Sequence, residues 1–170
     1  MKTISEKMIF RPRPSIGWIW FALLGLLLSG VGIGLIVNSG FSGPFLITIL
    51  ITLAIGIVAL VIAAFFPSMR YELDGSVLHV TYGPLLHYTI DACRIKSIRR
   101  RDLGFSLVSS FRVPGLALFN VPYPEMGTVK MCATAASNGI LVIETDQAVY
   151  GLTPAKEAEF VAELRKRMGR

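Results

Sequence analysis

Between Arg13 and Arg70 the chain carries no Asp, Glu, Lys or Arg, an uninterrupted interval of 56 residues. A surface facing water cannot be built from such a stretch, because about a quarter of the residues in soluble domains are charged. One bilayer crossing needs about 20 apolar residues, so the interval is too long for one span and suits two. The composition agrees: 53% of the residues are hydrophobic, 16% are charged, and the mean hydropathy is +0.61. Of the 170 residues, about 100 remain for one further domain. A large multidomain enzyme is not expected.

The first span is expected at residues 17–37, GWIWFALLGLLLSGVGIGLIV, whose 21 residues reach about 32 Å as a helix. The second is expected at residues 45–66, FLITILITLAIGIVALVIAAFF, with Thr48 and Thr52 bonding to their own helix backbone. Asn38 to Pro44 between them supply uncharged turn chemistry, so the spans form a tight hairpin. A cleaved signal peptide fits poorly. The first apolar run is longer than the roughly 7 to 15 residues of a signal core, and a second run follows at once.

Orientation follows from where Lys and Arg lie, since basic flanks resist translocation. Lys2, Lys7, Arg11 and Arg13 precede the first span, Arg70 follows the second, and the connection has none. Both termini are therefore expected in the cytoplasm of a bacterial-type cell, at its plasma or inner membrane. Trp18 and Trp20 at one end and Phe65 and Phe66 at the other fit an aromatic interface belt. Residues 1–16 read as a basic cytoplasmic arm.

Gly30 and Gly34 form a GxxxG pair, and Gly25 and Ser29 extend a face of small residues. That face is expected to pack against the second span, with homodimerisation as the other reading. Gly30, Gly32 and Gly34 are not a dinucleotide fingerprint, because no strand precedes them. Neither span holds an ionisable side chain, so the usual marks of an ion path, proton relay or intramembrane active site are missing.

After Pro67 the pattern changes to short alternating runs. Tyr71–Leu73 and Val77–Tyr82 flank Asp74-Gly75, a hairpin signal. Further runs at residues 85–90, 94–100, 116–121, 128–134, 140–145 and 148–152 bring the expected number of strands to about eight. Thr153 and Pro154 suit the N-cap and first position of a closing helix, in which Phe160, Val161, Leu164 and Met168 recur at helical spacing. The helix is acidic early and basic late, as its dipole favours. The fold class expected is thus a two-helix transmembrane hairpin followed by an α+β, mostly β, domain over residues 70–170.

Within that domain, YELDGSVLHVTYGPLLHYTIDACRIKSI and the ending ILVIETDQAVYGLTPAKEAEFVAELRKR resemble the bacterial pleckstrin-homology-like (PH-like) domains. The resemblance covers about Arg70 to Arg167. It implies a bent antiparallel β sandwich or partial barrel capped by the C-terminal helix, and it carries over no catalytic residues. A membrane-associated interaction or assembly module is what it implies.

The densest charge is Arg94, Lys96, Arg99, Arg100 and Arg101. Under an anionic leaflet each such cation is worth about 1 kcal/mol. On a strand edge the same charges prevent aggregation. Arg112 is expected at the rim of an apolar, irregular segment, residues 103–127, which either touches the bilayer or a partner, or folds over the core as a strand with a long connection. His79 and His87 are expected on the wetter strand faces, without further metal ligands. Cys93 and Cys132 are expected as unpaired thiols, and Ser109 and Ser110 lie in no nucleophile motif. No metal, cofactor or enzymatic activity is expected. The net charge of +6 is divided equally between the arm and the domain, weak support for nucleic acid. The leading expectation is a protein-binding module at the cytoplasmic membrane face. Anionic-lipid sensing through the basic strand is the alternative, and a component of an enzyme or transport system is the third. Expected partners are the bilayer, anionic headgroups, a membrane or cytoplasmic protein, or a second copy.

Overall fold

A computed structural model of the chain describes residues 7–39, 45–103, 112–124 and 126–169. The chain forms two compact units. One is built from residues up to Ser15 together with residues from Ser68 onward, and the other from Ile16 to Pro67.

The second unit is the helical hairpin, α1 (Gly17–Ser39) and α2 (Leu46–Ala64). Both helices are long and apolar enough to cross a membrane. Large side chains such as Leu26, Leu27 and Ile47 stay more than 60% exposed, unlike those of a soluble core helix. The seam between the helices is set by small residues. A Cβ on Gly25 would sit 2.9 Å from the Gly56 carbonyl oxygen, and one on Gly56 would sit 2.7 Å from Ser29 Oγ. Leu60 fills the space beside Gly25, and Leu53 that beside Gly32. Gly25 and Ser29 therefore face α2, but Gly30 and Gly34 do not, since nothing lies within 4 Å of a Cβ on either. The four small residues are not one face: with 3.6 residues per turn, residues 25, 29 and 32 share a stripe that residues 30 and 34 leave.

The first unit is a two-sheet domain with a closing helix. One sheet has the order β1 (Met8–Phe10), β2 (Arg70–Asp74), β3 (Val77–Tyr82), β4 (Leu86–Asp91), all antiparallel. The other contains β5 (Ile95–Arg101), β6 (Arg112–Val113), β7 (Leu116–Tyr123), β8 (Gly127–Ala133), β9 (Ile140–Thr145) and β10 (Val149–Leu152), in the order β5-β9-β10-β8-β7-β6. Among the described strand pairs of this sheet, β10–β8 is parallel and the others are antiparallel. Alternation sends Tyr71, Leu73, Leu78, Val80, Tyr82, Leu86 and Ile90 inward from the first sheet, none more than 5% exposed. Leu118, Cys132, Leu141, Ile143 and Leu152 of the second sheet and Phe160 and Leu164 of α3 (Glu157–Met168) are buried as well.

The second sheet is apolar on its other face too. Leu103, Ala117, Val121, Tyr123, Val129, Met131, Ala133, Ile140 and Val142 form a continuous buried cluster there. Much of the irregular segment at 103–127 is thus strand and core. Its residues 104–111, with Phe105, Leu107, Val108, Ser109, Ser110 and Phe111, lie outside the described residues, as do residues 40–44 of the inter-helix connection.

The largest departure from the sequence reading is at the arm. Residues 8–10 form β1 against β2 in the register Met8↔Leu73, Ile9↔Glu72, Phe10↔Tyr71. Arg13 N–H then donates to the Thr153 carbonyl at 2.8 Å, and Ala155 N–H donates to that of Arg11 at 2.9 Å. Arg13 pairs with Glu157, and Ser15 Oγ donates to the Gly115 carbonyl. The described part of the arm is therefore built into the domain, with residues 8–10 as one of its strands, and the boundary expected at residue 70 misses it. A three-residue strand carries no detectable alternation of its own, and its partner lies beyond both helices.

The same contacts move the start of the closing helix. Thr153 is not its N-cap, because the hydroxyl instead accepts from Thr134 N–H at 2.7 Å. Pro154 bridges to Pro12, and α3 begins only at Glu157.

Phe10 stacks edge-on against Phe160 with ring centroids 5.2 Å apart. Replacing Phe10 by Ala is expected to cost about 2 kcal/mol, less than the ~3–5 kcal/mol of a fully buried Phe, because the ring is only partly covered. The neighbouring Ile9→Ala, at an exposed position, should cost about 0.5 kcal/mol or less. Thermal unfolding of the full-length protein in detergent, followed by circular dichroism, checks both.

Candidate interaction site

The basic cluster lies on β5, which among the described residues is an edge strand paired with β9 alone. The register Arg99↔Val142, Arg100↔Leu141, Arg101↔Ile140 puts Arg99 and Arg101 on one face and Arg100 on the other. The register shift between Ile95 and Ser97 leaves Lys96 in a bulge. Arg94 lies in the short 3-10 turn at Ala92–Arg94 that leads into the strand. Arg94, Lys96, Arg99 and Arg100 are exposed and Arg101 is half-buried. None of the five forms an ion pair among the described residues. The nearby acids are engaged elsewhere: Asp102 accepts from Gly139 N–H at 2.6 Å, and Glu144 accepts from the Ser97 hydroxyl at 2.8 Å.

Arg112 is not part of this group. It belongs to β6, at the opposite edge of the same sheet, with four strands between β6 and β5. A cation that sequence reasoning placed in the arm joins the cluster in its stead. Arg13 Nη1 and Arg100 Nη2 lie 3.1 Å and 2.9 Å from the position a Cβ would take on Gly139. Nothing local in the sequence signals this convergence.

His79 and His87 stack across β3 and β4 with centroids 5.6 Å apart. His87 Nε2 lies 3.3 Å from the Thr89 hydroxyl, and Glu72 is the cross-strand neighbour of His79. Among the described residues no three His, Cys, Asp or Glu side chains are arranged to hold a metal. Cys93 is exposed and Cys132 buried. Burial pushes the Cys132 thiol well above its ordinary value, so it stays protonated and unreactive. Burial also pushes Tyr88 up to about 12, and Lys130 stands over the Tyr88 and Tyr150 rings at 5.8 and 5.6 Å. Beside β1, residues Ile9, Phe10, Arg11, Ala155, Lys156 and Glu159 line an open groove of about 380 Å³.

Two packed sheets closed by a C-terminal helix define a PH-like β domain. Residues 69–168, more than half of the chain, match the bacterial PH domain family (bPH_5), and the chain belongs to that family. No curated protein matches the chain. The matched region begins after the hairpin, so β1 is a strand added from outside it.

Maleimide is expected to label the native protein at Cys93 and to reach Cys132 only after denaturation, counted by intact mass. A second expectation concerns Glu72. The Lys7 ammonium hydrogen-bonded to it holds its carboxyl below the ordinary range; burial opposes this, and Arg70 and His79 add to it. A depressed folded value stabilises above the unfolded carboxyl value of about 4.3, and that stabilisation is lost as pH falls through the folded value. The melting temperatures of wild type and Glu72→Gln should differ at neutral pH and converge on acidification. The gap should be small, because Lys7 is half exposed.

Proposed function

We propose that this protein is a membrane-anchored interaction module with no catalytic role. Its PH-like domain is held at the cytoplasmic face of a bacterial plasma or inner membrane and engages a protein partner there. One observation carries the reading: the chain on both sides of the apolar hairpin builds a single folded unit, residues up to Ser15 with residues from Ser68. A chain that leaves a domain, forms two helices of spanning length and returns to the same domain crosses the bilayer an even number of times. Both ends of the hairpin then lie on the domain's side. Basic residues on both flanks, and none in the connection, favour the cytoplasm for that side.

The partner surface in this reading is the open edge of β5. An extended segment of a partner adds backbone hydrogen bonds there, and acidic side chains meet Arg94, Lys96, Arg99 and Arg101. Long-range attraction accelerates encounter and selects acidic partners.

Two measurements test this. A membrane-impermeant maleimide should leave Cys93 unlabelled in intact spheroplasts and label it after permeabilisation; labelling in intact cells overturns the topology. A photocrosslinker at Lys96 of the full-length protein, in its own membrane, should trap a discrete protein. Arg99→Glu with Arg101→Glu should reduce that product by about tenfold, about 1.4 kcal/mol of binding. An undiminished product removes β5 as the partner surface.

A further inference from the structure

We propose that the corner where the arm meets β5 binds the phosphate of an anionic lipid headgroup, with Arg13 and Arg100 as the two residues that hold it. The site is separate from the protein-partner reading of β5 and stands whether or not that reading fails.

The two guanidinium ends approach the same point over Gly139, so their terminal nitrogens are no more than about 6 Å apart. Gly139 has φ +61°, and its missing side chain leaves the space between them open. Two cations this close repel, and an anion seated between them removes the repulsion. Guanidinium groups present planar forks of N–H donors that match the oxygens of a phosphate, and two forks on one phosphate give several charge-assisted hydrogen bonds.

The other charges at the corner leave this face available. Glu157 engages Arg13 through Nη2, which fixes the side chain while Nη1 is the nitrogen directed over Gly139. Asp102 spends Oδ1 on the Gly139 N–H. It forms no ion pair with Arg100 among the described residues. Arg99 and Arg101 point to the opposite face of the strand and do not enter the site.

Chain length selects a lipid as the source of the phosphate. Arg13 is four residues before Gly17, where α1 begins. Four residues span at most about 14 Å, so in a membrane-inserted chain the Arg13 backbone cannot lie farther than that from the start of the first span. Headgroup phosphates are concentrated at that level, and their attraction acts within a Debye length of about 8 Å.

The test uses the full-length protein, stripped of lipid in a neutral detergent. Its melting temperature is followed on titration with short-chain phosphatidylglycerol, short-chain phosphatidylcholine and inorganic phosphate in turn. Phosphatidylglycerol is expected to raise the melting temperature saturably and phosphatidylcholine to leave it unchanged. Arg100→Ala should melt as wild type does without lipid and lose at least about tenfold in apparent affinity. Arg13→Lys, which keeps the charge but not the fork, should weaken binding as well, while Arg101→Ala should bind as wild type does. An unchanged affinity in Arg100→Ala overturns the site. An equal response to inorganic phosphate at the same concentration overturns the lipid assignment, and a response in Arg101→Ala as weak as in Arg100→Ala reduces the effect to general charge.

Discussion

Phe160 is where the parts of the domain meet. Its ring takes Phe10 from β1 edge-on at 5.2 Å and Tyr71 from β2 at 6.1 Å. It is fully buried at the core side of α3. Tyr71 carries the connection farther, since its hydroxyl donates to the Cys132 carbonyl at 2.8 Å and accepts from Thr153 N–H at 3.2 Å. Both sheets, the approach to the closing helix and the arm thus depend on one aromatic cluster with a satisfied polar centre. In a low-dielectric interior a hydroxyl with both partners in place fixes a unique packing, whereas an unpaired one would weaken it.

The arm gives this cluster a consequence for the whole chain. A strand that precedes the hairpin and pairs with the strand that follows it makes the hairpin and the domain one topological object. The ring of Phe10, the Lys7–Glu72 pair and the Arg13–Glu157 pair are all contacts across the hairpin in sequence. A fragment beginning at residue 70 lacks them. It would expose the outer edge of β2 and one side of Phe160, an open edge being an invitation to mispairing.

Charge is distributed with the same economy of position. Acids of the domain mostly have partners, as with Glu72, Glu157 and Glu163, while the cations of β5 form no ion pairs among the described residues. An edge strand of this kind resists self-association through repulsion, and the same property makes it receptive to an acidic surface. Protection and recognition are compatible readings of one set of side chains, which is why their sequence alone left both open.

By itself the sequence determined the hairpin, the strands of the β domain and its closing helix, because each rests on a local quantity. An uncharged run has a length, Asp74-Gly75 has a turn preference, and Phe160 and Leu164 have a helical spacing, whatever the rest of the chain does. Only the tertiary structure decided that residues 8–10 are a strand, that Arg13 joins Arg100 while Arg112 sits at the opposite edge, and that Gly56 meets Gly25 and Ser29 but not Gly30 and Gly34. These are choices of partner between segments as far apart as 144 residues, the separation of Arg13 and Glu157. Periodicity says which side of an element is apolar or charged. Which element it meets is set by the path of the chain and by the packing of everything between.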